Sequence, residues 1–193
     1  MDRDARARQL SRELRTESSP DLRRRRGIVA LSLTASAAMG VIALYQTGII
    51  KHLPEPPLPK MDADKVDASA EAYRKFAAPD AVLGLGSYAV TMALASIGGK
   101  DRVREMPLVP LALAVKVAFD VATAAKLSVD QWTKHRAFCF WCLIAASATF
   151  AMAPLVVPEA MAAASSLFSS SDSRSSPAPA SRSTARTTNI ACK

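Results

Sequence analysis

The chain has 193 residues, half of them apolar and only 6% aromatic, with 25 basic against 17 acidic side chains. A net charge of +8 would suit a nucleic-acid binder if the bases formed a patch, but they gather near the ends and between long uncharged runs, which argues against that class and against a soluble globule. Three cysteines are too few for a disulfide-stapled secreted scaffold, and an odd number leaves at least one without a partner in the chain.

In chain order, residues 1–26 hold nine arginines against five acids and read as a basic tail. Because positive segments flanking a span stay in the cytoplasm, this tail places the N-terminus there. Residues 28–50 carry no charge over 23 positions, enough for a first crossing. That run and the segment before it are both longer than the corresponding parts of a cleavable signal peptide. Residues 51–80 form one large outer loop, nearly balanced in charge. Pro54, Pro56, Pro57 and Pro59 give it an extended start, and residues 67–77, with Ala68, Ala72 and Phe76 on one face, predict a short amphipathic helix.

Pro79 opens a second apolar run over residues 81–99, where Gly84 and Gly86 permit close helix packing or close approach of a ligand. A third run, over residues 107–129, is interrupted by Lys116, Asp120 and Lys126. Lys116 and Asp120 stand four apart, so they share a helix face and pair inside a bundle, where an isolated charge would be expensive. Residues 137–158 form the fourth run. Beyond it, residues 159–193 read as a disordered cytoplasmic tail, with serine, proline and arginine concentrated in residues 169–183. The expectation is an all-α, integral-membrane four-helix bundle over residues 27–158. It would be multi-pass in the cell inner membrane, surrounded by membrane lipid and without a nucleic-acid partner.

The chemistry concentrates in Phe138-Cys139-Phe140-Trp141-Cys142, at the start of the fourth run. Two cysteines three positions apart at a helix start bring their sulfurs to one side and allow a reversible disulfide. Helix N-terminal amides and the preceding cations favour thiolates there. Cys139 is expected nearer water, and Cys142 about 4.5 Å further along the axis. Such a pair can face a water-side dithiol with one sulfur and a lipid-soluble oxidant with the other. His135, Cys139 and Cys142 lack an obvious fourth ligand for a metal, although His52 or a loop acid could supply one. Leu143 stands where c-type haem attachment needs histidine. Trp132 and Trp141 suit an interfacial anchor, and His135 suits either a loop cation or a proton acceptor.

With that aromatic-flanked pair, the large first loop and the helix order, residues 27–158 resemble the vitamin K epoxide reductase family, in particular its bacterial members. Asp67-Ala68-Ser69, followed by Tyr73, Pro79, Gly84 and Tyr88, is similar to the family's serine-containing segment leading into its second helix. The resemblance implies a membrane thiol oxidoreductase. Cys142 would contact or form an adduct with a quinone, either ubiquinone or menaquinone, and Cys139 would exchange disulfides with a reduced thiol partner. Ser69 would organise the pocket, with Tyr88, Phe138 and Trp141 as further quinone-binding candidates and no metal. Family members usually carry a second cysteine pair in the first outer loop, and residues 51–80 here contain none. Electrons would then come straight from an outer-side protein dithiol, for which a separate thioredoxin-like protein is the candidate partner, and the redox pair would face the periplasm or cell exterior. The competing expectation is a non-catalytic structural or interaction protein derived from the same family.

Overall fold

The computed structural model describes residues 3–73 and 78–175. Among these there are seven α-helices: α1 (Arg3–Thr16), α2 (Pro20–Gln46), α3 (Ala63–Asp67), α4 (Asp80–Ser96), α5 (Arg102–Glu105), α6 (Leu108–Asp130) and α7 (Phe140–Ser175). A 3-10 turn, Ala70–Tyr73, follows α3, and a π turn, Gln131–His135, extends α6. The described residues contain no strand, only an isolated parallel bridge between Met61 and Phe138.

Three helical stretches are long and apolar enough to cross a membrane: Pro20–Gln46, Leu108–His135 and Phe140–Ser169. The fourth apolar helix, α4, has 17 residues and is about 26 Å long at 1.5 Å per residue. It packs against α2 and α6, and α7 packs against α2 and α6 in turn. At the centre, Ile28, Ala35 and Ala38 of α2 meet Tyr88, Leu113, Val117, Ala145 and Met152. Small side chains let the helices approach closely. Large apolar groups also point outward, among them Leu33, Val115, Phe119 and Phe150. Helices apolar on both the packed and the outer face are those of a membrane protein rather than of a water-soluble bundle.

Three sequence boundaries move. Ser19 caps α2, its hydroxyl accepting from the Leu22 amide at 3.2 Å, and Pro20 occupies the first turn. The arginine run therefore lies inside the helix and not in a tail before it. Residues 159–175 are helical and not a disordered tail, because α7 continues through Pro154 and Pro158 and buries Glu159 and Ala163. The helix expected from residue 67 instead ends there. Asp62 caps α3 through the Lys65 amide at 3.0 Å, and the chain re-forms as the 3-10 turn. Phe76, the last part of the serine-rich segment and Cys192 lie outside the described residues.

At the α1 end of the bundle, two arginines satisfy the carbonyls that α4 leaves open where it stops. Arg25 donates to the carbonyls of Ala95, Ile97, Gly98 and Gly99 at 2.8–3.1 Å. Arg102, fully buried, donates to Leu94 and Ile97 at 2.8 and 3.0 Å and pairs through Nε and Nη2 with both Glu159 oxygens at 2.5 Å. Gly98, at φ 83°, turns the chain tightly enough that a Cβ would stand 2.8 Å from that of Arg102. Removing one partner of a buried ion pair strands the other. Glu159→Ala is therefore expected to destabilise the fold by about 3–5 kcal/mol, measured by denaturant titration in detergent, whereas Lys100→Ala, which breaks an exposed pair with Glu17, is expected to leave the midpoint of the same titration in place.

Candidate functional site

Cys139 is the residue on which α7 begins. Its carbonyl accepts the first helical bond, from Leu143 at 3.0 Å, and its sulfur accepts the Cys142 amide at 3.2 Å. This is the geometry of an N-cap side chain bonding to the third helical amide, with sulfur in place of the usual oxygen. The two-residue spacing thus sets the pair in one turn, and both cysteines are free thiols.

The first loop covers this turn. The Phe138 amide donates to Lys60 at 2.8 Å, and the Asp62 amide donates to the Phe138 carbonyl at 3.0 Å. Leu53, Ala63 and Val66 pack with Ala137 and Cys139. Lys60, in the left-handed region at φ 68°, holds its ammonium 4.7 Å above the Trp132 ring, which stacks on Phe138 at 5.8 Å. Trp141 Nε1 donates to the Pro54 carbonyl at 2.7 Å, and the Cys139 amide donates to Gln131 Oε1 at 3.0 Å. Cys139 is consequently 0% exposed. Cys139, at the start of α7, is thus covered by the first loop, while Cys142, one turn further along, is half-buried.

A third group joins the pair. Asp67, at the end of α3, is 3% exposed, and one of its carboxylate oxygens lies within 4.8 Å of both sulfurs, which are equally close to each other. Its Oδ1 is 3.6 Å from Cys142 Sγ, and its Oδ2 is buried without a hydrogen-bond partner among the described residues. Gln46 positions it: Nε2 donates to the Asp67 carbonyl at 3.2 Å and to Asp80 at 2.7 Å, while Oε1 accepts the Ala81 amide. Burial pushes the Asp67 carboxyl up to about 6; contact with Cys139 opposes the rise, nearby Asp80 adds to it, Cys142 opposes it and Glu55 adds to it. In the sequence Asp67 stands out only through the family resemblance, because its place beside the cysteines depends on how the first loop folds back.

Below the pair lies a cavity of about 340 Å³ among α2, α4, α6 and α7. Met39, Ile42, Leu83 and Ala145 supply apolar wall, and Asp67, Tyr88 and Cys142 reach it. Gly84 belongs to the wall and allows close packing, since a Cβ would stand 3.0 Å from Met39 Sδ; at Gly86 nothing lies within 4 Å. Tyr88 shares a 2.8 Å hydrogen bond with Thr149. Ser69, Phe138 and Trp141 are not in the wall: Ser69 sits in the turn after α3, and the two aromatics hold the covering loop. His135 ends the π turn, away from the wall, and His52 binds Asp64 at 2.7 Å. Lys116 pairs with Asp120 at 2.5 Å and donates to Ser87 at 2.8 Å, and Ser87 donates to Asp120 at 3.0 Å. That network is satisfied internally, as the shared helix face implied.

A dithiol with one sulfur on an apolar cavity between membrane-length helices is the equipment of a membrane redox enzyme. The model of the Vitamin K epoxide reductase family matches residues 27–157, more than half of the chain, and the chain belongs to that family. Its members are oxidoreductases that generally use a quinone. No curated protein and no solved structure matches the chain.

Because the loop must open before Cys139 meets a water-soluble reagent, its modification reports that opening. Trp141→Phe deletes the bond to Pro54, worth about 1 kcal/mol, and is expected to speed Cys139 labelling by a charged maleimide about fivefold. Cys142 labelling by a small neutral reagent should change little, as read by peptide mass spectrometry.

Proposed function

We propose that the protein oxidises a dithiol on a partner protein through Cys139 and Cys142 and passes the electrons to a membrane quinone. The observation that carries this reading is the division of the pair: one sulfur sits under the loop, and the other is in the wall of an apolar cavity. The cavity's volume falls within the range of small-molecule sites, and its mostly apolar wall with a few polar groups suits a quinone ring. Met39, Ile42, Leu83 and Ala145 would hold the ring's faces, with Tyr88 a hydroxyl within reach of the same space. A bound quinone supplies the capacity to accept two electrons and two protons, the number that oxidation of a dithiol to a disulfide releases.

In the chain itself, Cys139 and Cys142 exchange the covalent bonds. Attack by an incoming thiolate on their disulfide passes through a mixed disulfide and ends with both thiols reduced. The incoming thiolate belongs to a separate protein, for which a thioredoxin-like carrier is the fitting class, since residues 51–80 hold no cysteine to relay electrons. Gln131, by accepting the Cys139 amide, keeps the turn in register with the cavity. The four apolar helices are read as four crossings in the inner membrane. The arginine-rich start lies in the cytoplasm, and the pair lies on the periplasmic or exterior side. Ubiquinone and menaquinone both fit this reading.

Reduced protein mixed anaerobically with soluble analogues of ubiquinone and menaquinone is expected to form one quinol per Cys139–Cys142 disulfide. Cys139→Ser and Cys142→Ser should each abolish it while leaving the protein folded. If folded, reduced parent protein gives no quinol with either acceptor, the redox reading is overturned in favour of a structural or interaction role.

A further inference from the structure

We propose that Asp67 is the proton acceptor for the Cys142 thiol: as Sγ attacks an electrophile from the cavity, the carboxylate takes its proton across the 3.6 Å contact. The proposal deepens the redox reading of the thiol pair and rests on it for its purpose, though the proton transfer can be read with any electrophile. The S–H bond breaks and an O–H bond forms as sulfur bonds to the electrophile, the carboxylate's charge is neutralised, and the displaced group or the adduct carries the negative charge.

Three observations carry it. Asp67 is almost wholly buried, and burying an ionisable group without a charged partner is costly, so its place in the fold calls for a function or a counter-charge. Its Oδ2 has no hydrogen-bond partner among the described residues, although a buried acceptor left unpaired is costly. It is also held from behind by the Gln46 bond to its own backbone carbonyl, which fixes the residue while a carboxylate oxygen stays within 4.8 Å of both sulfurs. A general base needs reach, a vacant lone pair and an ordinary pH of operation. The contact of Cys142 with Oδ1 supplies the first, and with Oδ2 unbonded the carboxylate is not engaged by any other donor on that side. The third follows from the groups around it: Tyr45 of α2, Glu55 of the loop, Asp80 of α4 and the two thiols of α7. Burial and the two neighbouring acids outweigh the thiols and bring the carboxyl to about 6, so that it is ionised and ready to accept a proton at neutral pH and filled below that value.

The transfer differs in sign from a passive neighbour. A carboxylate that merely sat beside Cys142 would repel the thiolate, and its removal would make the thiol more reactive. A proton acceptor does the opposite. The test is the pH dependence of Cys142 alkylation by iodoacetamide in the full-length, reduced, quinone-free protein in detergent, followed at that site by peptide mass spectrometry. The parent is expected to show a step near pH 6, with reactivity rising as Asp67 ionises. Asp67→Asn should lose the step and react about tenfold more slowly at pH 7, and Asp67→Glu should regain a step. An Asp67→Asn protein that reacts as fast as the parent or faster at pH 7, or a parent without the step, overturns the proposal.

Should Asp67→Asn fail to fold, infrared titration of the parent decides. A carboxylic acid band that disappears near pH 6 and shifts when Cys142 is alkylated supports the transfer, and the absence of such a band overturns it. Because no quinone is present, these outcomes are independent of quinol formation. A protein with the pH step but no quinol production keeps the proton acceptor and loses the acceptor of electrons, and the converse separates them equally well.

Discussion

The arrangement of the whole bundle hangs on how α4 ends. A 17-residue helix stopping among longer neighbours leaves its last carbonyls in a setting poor in water, where each unpaired group is costly. Arg25 from α2 and Arg102 from α5 converge on those carbonyls, and Glu159 from α7 offsets the charge of Arg102. Four helices are thereby tied at one level. With that end fixed, the register of α4 against α2 and α7 follows, and with it the height at which Gly84 and Tyr88 meet the cavity. A planar guanidinium suits the task because its several donors reach different carbonyls at once, which an ammonium could not do in this geometry.

The opposite end is organised by polar bonds of another kind. Gln46 links the ends of α2 and α3 to the start of α4, and Gln131 links the end of α6 to the start of α7. Both are neutral amides with donor and acceptor in one side chain, able to join backbone groups of either type without introducing a charge. Between these two joints lie Asp67 and the cysteine pair. The site is therefore assembled from helix termini, where backbone groups are open and side chains can cap them, and the cavity is enclosed by helix middles, where they are not.

Sequence reading recovered the parts governed by short-range periodicity. The apolar runs, the shared face of Lys116 and Asp120, the Pro79 start and the one-turn spacing of Cys139 and Cys142 all depend on residues a few positions apart. What escaped depends on distant contacts. Arg25 looks like one of four equivalent arginines until the carbonyls of residues 95–99 are brought to it. Glu159 looks like the first residue of a polar tail until Arg102 faces it. The aromatic residues Phe138 and Trp141 carried the resemblance to the family; here the Phe138 ring stacks on Trp132 of the π turn, and Trp141 packs on the core while its Nε1 reaches the Pro54 carbonyl of the first loop. Asp67 was legible only as a letter in a motif, since nothing local in the sequence says that α3 ends against α7.

The loop cover also reshapes the chemistry expected of an outer dithiol. A sulfur at 0% exposure cannot be attacked in line by a thiolate from water, so exchange at Cys139 requires the segment around Lys60 and Asp62 to leave Phe138. The two backbone bonds to Phe138 and the Trp141 bond to Pro54 are few, and each contributes only about 1 kcal/mol net. The packing of Leu53, Ala63 and Val66 on Cys139 adds an apolar contribution that a partner protein could replace by burying the same surface. Under the redox reading, a docking partner would therefore open the site by substitution rather than by force. Asp67 belongs to the same loop but its carbonyl is tied to Gln46 of α2, and Cys142 lies within α7, so the cavity half of the site is anchored to the helices.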